Sequence, residues 1–471
     1  MNNLAEVLPA SFRDPAGFVY SIDGTVYRQV NKNYDAEYQA FMSSGLYDAL
    51  VDQNLLLAHE EVGAEMAFTQ TAARVLLPTQ LEFISYPYEW SFNQLKDAAF
   101  LTLKVARCSL DNNMYLKDAS AYNIQFHSGQ PVFIDTFSFE RYTVDVPWVA
   151  YRQFCQHFLA PLALMSKTDI RLNTLFKNYI DGIPLDLASK LLPFSANFSF
   201  SLALHIKLHA YSQRKHANTH QAGKVKRPVF SKNSFYGLLD SLYNAISKLT
   251  WAPKGTEWHD YYQSNNNYSD EALNHKERLV ASYIQSSSAK TAWDLGANTG
   301  RFSRIAASKG LSVIAWDVDP ACVESNYLEN KQNNDTKVLP LLLDLTNPSP
   351  GIGWQHQERA SLVDRGPADL IIALGLVHHL AIPNNVPLEK IAEFFSKLGS
   401  NLVIEFIPKE DSQVLKLLST REDVFPDYNQ QGFEQAFNRH YSIVEKEDIP
   451  ESKRTLYRMR CIINPVVGRQ S

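Results

Sequence analysis

Cysteine is scarce in this chain. The four that occur, Cys108, Cys155, Cys322 and Cys461, are widely spaced and form no C-x-x-C pair. That pattern argues against a disulfide framework and a cysteine zinc site, and it fits a reducing compartment. Long apolar runs are missing too. The longest, such as Phe158 to Met165, fall far short of a membrane span. Met1 to Ala10 lacks the basic-then-apolar pattern of a secretory signal. Basic charge is not in excess: 45 lysines and arginines stand against 50 acids, the formal net charge is −5 and the pI is near 6.2. That balance argues against a nucleic-acid coat or a polybasic membrane binder. There is no internal repeat and no long low-complexity tract. The expectation is a soluble, cytoplasmic protein without a membrane span.

What is present is ordinary globular composition, 45% hydrophobic and 20% charged over 471 residues, enough chain for two or three domains. One stretch departs from the average. His205 to Arg227 holds His205, His209, His216 and His220 among six lysines and arginines. The histidines pair at i, i+4, but no carboxylate or cysteine completes a site. A solvated basic face, an exposed helix end running into a linker, is favoured over a metal site. The domain junction is placed near residues 215–230. Further on, Trp251, Trp258, Tyr261 and Tyr262 read as junction packing rather than an acceptor pocket, and Gln263-Ser-Asn-Asn-Asn267 as a polar loop.

The second half alternates strand-like and helix-like segments, the pattern of a layered α/β fold with a mostly parallel sheet. Thr291 to Leu295 reads as a buried strand, Gly296-Ala-Asn-Thr-Gly300 as a tight turn, and Arg301 to Ser308 as a helix. Ser312 to Trp316 is the next strand, ending at Asp317. Glycines in such a turn let the backbone bend sharply and approach a ligand. An acid 17 residues past Gly300 can accept hydrogen bonds from ribose hydroxyls. The pattern is not the dinucleotide G-x-G-x-x-G, because Asn298 and Arg301 stand where the second and third glycines belong.

Asp294-Leu-Gly-Ala-Asn-Thr-Gly300 resembles motif I of the class I S-adenosylmethionine-dependent methyltransferases. The resemblance continues in order through Asp317, through Asp344 after Leu341-Leu-Leu, through Asp369 to Leu374, and through Leu402 to Phe406. It implies a Rossmann-like seven-stranded sheet with helices on both faces, closed by a hairpin near Tyr441 to Val444 and Leu456 to Cys461. It implies a cofactor loop of Asp294, Gly296, Ala297, Asn298 and Gly300, with Asp317 on the ribose and Asp344 near the adenine amine. Tyr268 stands where the family often covers the methionine part of the cofactor; an exposed loop aromatic is the alternative. Methyl transfer asks the protein mainly for alignment and desolvation, and for a base only if the acceptor must lose a proton early. His378 and His379, after the fourth strand, are the candidates for that base, with packing as the alternative. Glu405, at the end of the fifth strand, is a further candidate.

In the first half, residues 93–110 read as an amphipathic helix with Leu95, Ala98, Ala99, Thr102, Leu103, Ala106 and Leu110 on one face. Asp118-Ala-Ser-Ala-Tyr-Asn123 follows. Ile124 to Phe126 and Pro131 to Ile134 then flank a turn, and the second run ends at Asp135. In phosphoryl transfer the first acid receives the acceptor proton, while the asparagine and second acid hold magnesium. Upstream, Gly17 to Ile22 and Thr25 to Val30 flank the hairpin turn Asp23-Gly24. Tyr34 to Leu50 is read as a helix, Leu81 to Tyr86 as a strand, and Pro87 to Trp90 as a hinge.

Helix, D-x-x-x-x-N, hairpin and apolar-Asp in that order resemble the protein-kinase-like fold, nearest its aminoglycoside-phosphotransferase branch. The resemblance implies a small lobe over residues 1–92 and a large lobe over 93–215. A basic linker and connecting helix would cover 216–249, ahead of a methyltransferase domain over 250–471. Asp118 is then the phosphotransferase base, and Asn123 and Asp135 hold magnesium if ATP is bound. Two parts of the pattern are absent. No glycine-rich G-x-G-x-x-G loop occurs, and no lysine stands in the third-strand position, where Arg28 is the nearest cation.

Over nearly its full length the chain resembles a small bacterial methyltransferase group with this N-terminal extension, which includes nodulation proteins of the NoeA type. The expected function is S-adenosylmethionine-dependent methylation, with an α+β kinase-like domain recognising the acceptor. A bifunctional kinase–methyltransferase and a non-enzymatic cofactor-binding protein are the alternatives. The acceptor is unidentified, with a small molecule, saccharide or protein favoured over nucleic acid.

Overall fold

The computed structural model describes residues 5–208, 230–253, 256, 268–419 and 422–462. His209, His216, His220, most of the basic stretch, Trp258, Tyr261, Tyr262 and the polar loop at 263–267 lie outside the described residues. The chain divides into two compact units, Met1–Ala252 and Pro253–Ser471. Among the described residues no helix is long and apolar enough to cross a membrane.

The first unit opens with a five-stranded antiparallel sheet in the order β1-β2-β3-β5-β4. Its strands are β1 (Ala5–Val7), β2 (Gly17–Ile22), β3 (Thr25–Asn31), β4 (His59–Val62) and β5 (Ala72–Pro78). Asp23 and Gly24 both take positive φ, 49° and 83°, as a two-residue turn between twisted strands demands.

Two expectations are corrected here. Tyr34 to Leu50 is not one helix but two, Asp35–Ser43 and Leu46–Asp52, broken at Gly45 with φ 78°. Leu81 to Tyr86 is not a strand. The buried side-chain amide of Gln125 does the work of a neighbouring strand there. Its Oε1 accepts from Ser85 N at 2.8 Å, and its Nε2 donates to Ser85 O at 3.0 Å.

The expected long helix spans Phe92–Asp111, and all seven residues of its proposed face are buried. It starts at a reciprocal cap: Gln94 Oε1 accepts from Ser91 N at 2.8 Å, and Ser91 Oγ accepts from Gln94 N at 3.4 Å. Next come β6 (Met114–Leu116), paired with β9 (Phe139–Arg141), and the hairpin of β7 (Ile124–His127) with β8 (Gln130–Phe133). Residues 151–167 form a continuous helical stretch with a wider-wound turn at Cys155–Leu159. His205 does not join a solvated basic face. It is buried, sharing hydrogen bonds with Tyr151 Oη at 2.6 Å and Ser241 Oγ at 2.8 Å. Ser241 belongs to the helix Lys232–Ser247.

The second unit is built on one seven-stranded sheet in the order β12-β11-β10-β13-β14-β16-β15. Its strands are β10 (Thr291–Leu295), β11 (Ser312–Asp317), β12 (Val338–Leu342), β13 (Ala368–Ala373), β14 (Gly399–Phe406), β15 (Tyr441–Asp448) and β16 (Thr455–Cys461). The first five are parallel, and β16 runs antiparallel to both β14 and β15. The five strands and the closing hairpin stand where the sequence put them. Strand order reverses at β10, so β11 and β12 build outward on one side, and β13 and β14 on the other. The carboxyl ends of β10 and β13 therefore flank a crevice of the kind in which open α/β sheets bind ligands. A core including Ala292, Val313, Ala315, Leu370, Ile372 and Val403 from the strands fixes this frame.

Candidate functional site

The loop after β10 lies at that reversal. Gly296, Asn298 and Gly300 all take positive φ, 78°, 51° and 85°. At Gly300 a Cβ would come within 2.5 Å of the Asn326 side-chain amide, so glycine is required there by both conformation and space. Gly296 N and Ala297 N each donate to Trp316 O at 2.9 Å. Asn298 N donates to Asp317 Oδ2 at 2.7 Å, and Asp319 N to Asp317 Oδ1 at 2.8 Å. The turn after the first strand is thus pinned to the end of the second, and Asp317 is the pin.

Asp294 and Asp317 are both buried, 2% and 7% exposed. Burial pushes Asp294 up to about 7, against a hydrogen bond from Ser303 Oγ at 2.6 Å. Burial likewise pushes Asp317 up to about 6, against its backbone donors. Asp344 is exposed just past β12, where its Oδ1 closes a turn by accepting from Thr346 N at 2.8 Å and Thr346 Oγ1 at 2.6 Å. The three acids stand at the carboxyl ends of three neighbouring strands.

On the other side of the reversal, Glu405 is fully buried at the end of β14. Its Oε2 accepts from Lys276 Nζ at 2.9 Å and Gly375 N at 2.8 Å, and its Oε1 accepts from Tyr268 Oη. Lys276 Nζ also donates to Tyr268 Oη at 3.1 Å. The Arg454 guanidinium lies 4.4 Å from the centre of the Tyr268 ring and forks onto Asp411 at 2.7 and 3.2 Å. Burial alone would raise Glu405, but the charges of Lys276 and Arg454, with the hydrogen bonds from Tyr268 and Lys276, hold it below the usual carboxylate range. Tyr268 is therefore a held residue rather than an exposed loop aromatic.

Neither Lys276 nor Arg454 was expected from the sequence. Lys276 carried a signal all the same. It falls on the apolar stripe of the helix Asp270–Ser287, between Leu273 and Val280, where a lysine needs a buried partner.

His378 and His379 follow β13 on the short helix Val377–Ala381, their ring centres 4.0 Å apart. Burial first, then the neighbouring His379 and the cations Arg454 and Lys276, hold His378 well below its ordinary value. His379 is lowered to about 4 by burial and Arg454. The buried Nδ1 of His378 has no hydrogen-bond partner among the described residues.

The first unit brings Asp118, Asn123 and Asp135 together, but around an arginine. Arg28 Nη1, from β3, is ion-paired with Asp135 Oδ1 and lies 3.3 Å from Thr136 Oγ1. Ser138 Oγ donates to Asp135 Oδ2, and Asn123 Nδ2 donates to Ser138 Oγ at 3.3 Å. Burial, then Asp135, raises Asp118, against hydrogen bonds that include one to Asn123. Among the described residues no three histidine, cysteine, aspartate or glutamate side chains are grouped to hold a metal ion.

Fold and site together define an α/β protein whose second unit offers a crevice with acids at the strand ends. The chain belongs to the family of nodulation protein NoeA. It is 36% identical to that protein of Rhizobium meliloti (strain 1021) over 453 residues, 95% of this chain and 94% of the relative. No family model matches. Among solved structures it is similar to the bifunctional kinase-methyltransferase WbdD, with 15% identity, a TM-score of 0.31 and 46% of either chain covered. The chain thus spans about half the length of WbdD. It is also similar to N-methyltransferase NodS from Bradyrhizobium japonicum WM9 in complex with S-adenosyl-L-homocysteine, with 12% identity, a TM-score of 0.33, and 44% of this chain and 93% of that one covered.

Proposed function

We propose that the second unit binds S-adenosylmethionine and transfers its methyl group to an acceptor recognised by the first unit. The observation that carries this reading is the pinned loop at the strand reversal, with Asp317 bound to the N–H groups of Asn298 and Asp319. The residues fit the donor. An ionised carboxylate has about four acceptor sites, so Asp317 keeps some capacity for ribose hydroxyls beyond the backbone N–H groups of Asn298, Val318 and Asp319. Asp294, Gly296, Ala297, Asn298 and Gly300 shape the loop around the donor's polar end, and Asp344 stands at the adenine side.

When bound, the donor supplies a methyl group on an already activated leaving group. The chain's own part is to align and to exclude water. Glu405 does this indirectly: with three donors on its two oxygens, it holds Tyr268 against the crevice rather than taking a proton. For an acceptor that must lose a proton, His378 is the residue to receive it. Its Nδ1 is uncommitted within the described residues, and an acceptor there would have to offset the burial and neighbouring cations that oppose its protonation. The first unit is read as a kinase-like module, with residues 1–92 as small lobe and 93–215 as large lobe. It would recognise a small molecule, saccharide or protein.

Calorimetry tests the donor site. Wild-type protein is expected to bind S-adenosylmethionine and Asp317→Ala to lose that binding; unchanged binding in the variant would refute the assignment. Labelled-methyl transfer into fractionated lysate then identifies the acceptor class.

A further inference from the structure

The polar cluster of the first unit carries an inference that rests on the kinase-like reading. In a phosphotransferase of that fold, the asparagine and the second acid are held open for magnesium. Here both candidates are engaged by neighbours, Asp135 through each of its oxygens and Asn123 through its side-chain N–H groups. Asp135 gives one oxygen to Arg28 and the other to Ser138 Oγ. Asn123 is turned onto Ser138, and its hydrogen bond to Asp118 closes the chain of contacts. The guanidinium is also anchored from a third side, 4.8 Å from the centre of the Phe137 ring.

The ion pair is largely sheltered, its side chains 14% and 20% exposed. Attraction between the two charges is therefore poorly screened. A divalent ion approaching Asp135 meets a fixed positive charge already on Oδ1, and the two cations repel each other.

We propose that Arg28 is a built-in cation standing in for the divalent ion, so that the cleft of the first unit takes its ligand without a metal. The third-strand position that would clamp phosphates in a phosphotransferase has here been turned inward onto the metal-binding acid. The unit is then a recognition module whose site is closed to magnesium by its own side chain.

Electron paramagnetic resonance of manganese(II), with the full chain and with or without ATP, is the test. Wild-type protein is expected to leave the manganese signal unchanged from that of a protein-free control, both without ATP and with the same ATP concentration. Arg28→Ala is expected to take up about one equivalent in the presence of ATP, as a reopened site would. Arg28→Ala combined with Asp135→Asn is expected to take up none. Arg28→Gln, which keeps a hydrogen bond toward Asp135 without the charge, serves if Arg28→Ala fails to fold by circular dichroism. Manganese uptake by the wild type that disappears in Asp135→Asn overturns the inference and leaves the kinase-like reading standing. If a folded Arg28 variant takes up no ion even with ATP, Arg28 is not what keeps the metal out, and the inference is overturned while the kinase-like reading of the fold is untouched.

Discussion

Asp294 and Asp317 are held in the fold at a cost that pH exposes. An acid raised on folding costs nothing below its unfolded value, where both states are protonated. As pH climbs from about 4 to about 7 the unfolded chain ionises first and the native state loses stability. Asp294 sits at about 7 when folded. Asp294→Asn is therefore expected to be more stable than wild type at pH 8, by up to about 4 kcal/mol, and the two should converge near pH 4. Thermal unfolding across that range reads the difference directly. His379 works in the opposite sense: lowered to about 4, it takes stability away as pH falls from about 6.5. The comparison must therefore be variant against wild type rather than one pH against another.

Elements show where local pattern was sufficient and where it was not. The hairpin at Asp23-Gly24, the capped helix Phe92–Asp111 and the loop between β10 and the helix Arg301–Ser308 stand where the sequence put them, because turn chemistry and helical spacing are local properties. The strand β4, His-Glu-Glu-Val, has no apolar alternation to announce it. Leu81 to Tyr86 has the apolar content of a strand, yet the backbone of Ser85 within it is served by one side chain from 40 residues away. Gln125→Leu would leave both Ser85 backbone groups buried and unsatisfied. It is expected to destabilise the first unit by about 3 kcal/mol, measured by urea unfolding. The candidate site divides in the same way. Asp317 and the glycines were picked out by spacing, and Asp294 by the resemblance of its loop to motif I. The Lys276–Glu405 pair joins residues 129 apart and the Arg28–Asp135 pair residues 107 apart, and both depend on the finished fold.

At the scale of the whole molecule, two compact units, each with its own sheet, share one chain. A ligand that binds only one of them should stabilise that one. S-adenosylmethionine at a hundred times its dissociation constant is expected to add about 2.7 kcal/mol to the unfolding of the second unit and to leave the first unchanged. Scanning calorimetry with and without the donor resolves the two. An equal shift in both would mean that they unfold together.

The position of β16 has a consequence for how the protein is made. In chain order it is the last strand of its sheet, yet it is an inner strand, hydrogen-bonded to β14 on one side and β15 on the other. Until the ribosome has released Thr455 to Cys461, β14 ends the sheet with open hydrogen-bonding groups and β15 has no partner in it. A nascent chain stalled before that point would present two exposed strand edges at once, the condition that favours edge-to-edge aggregation. Translation through β16 is therefore the step that makes the second unit safe to fold.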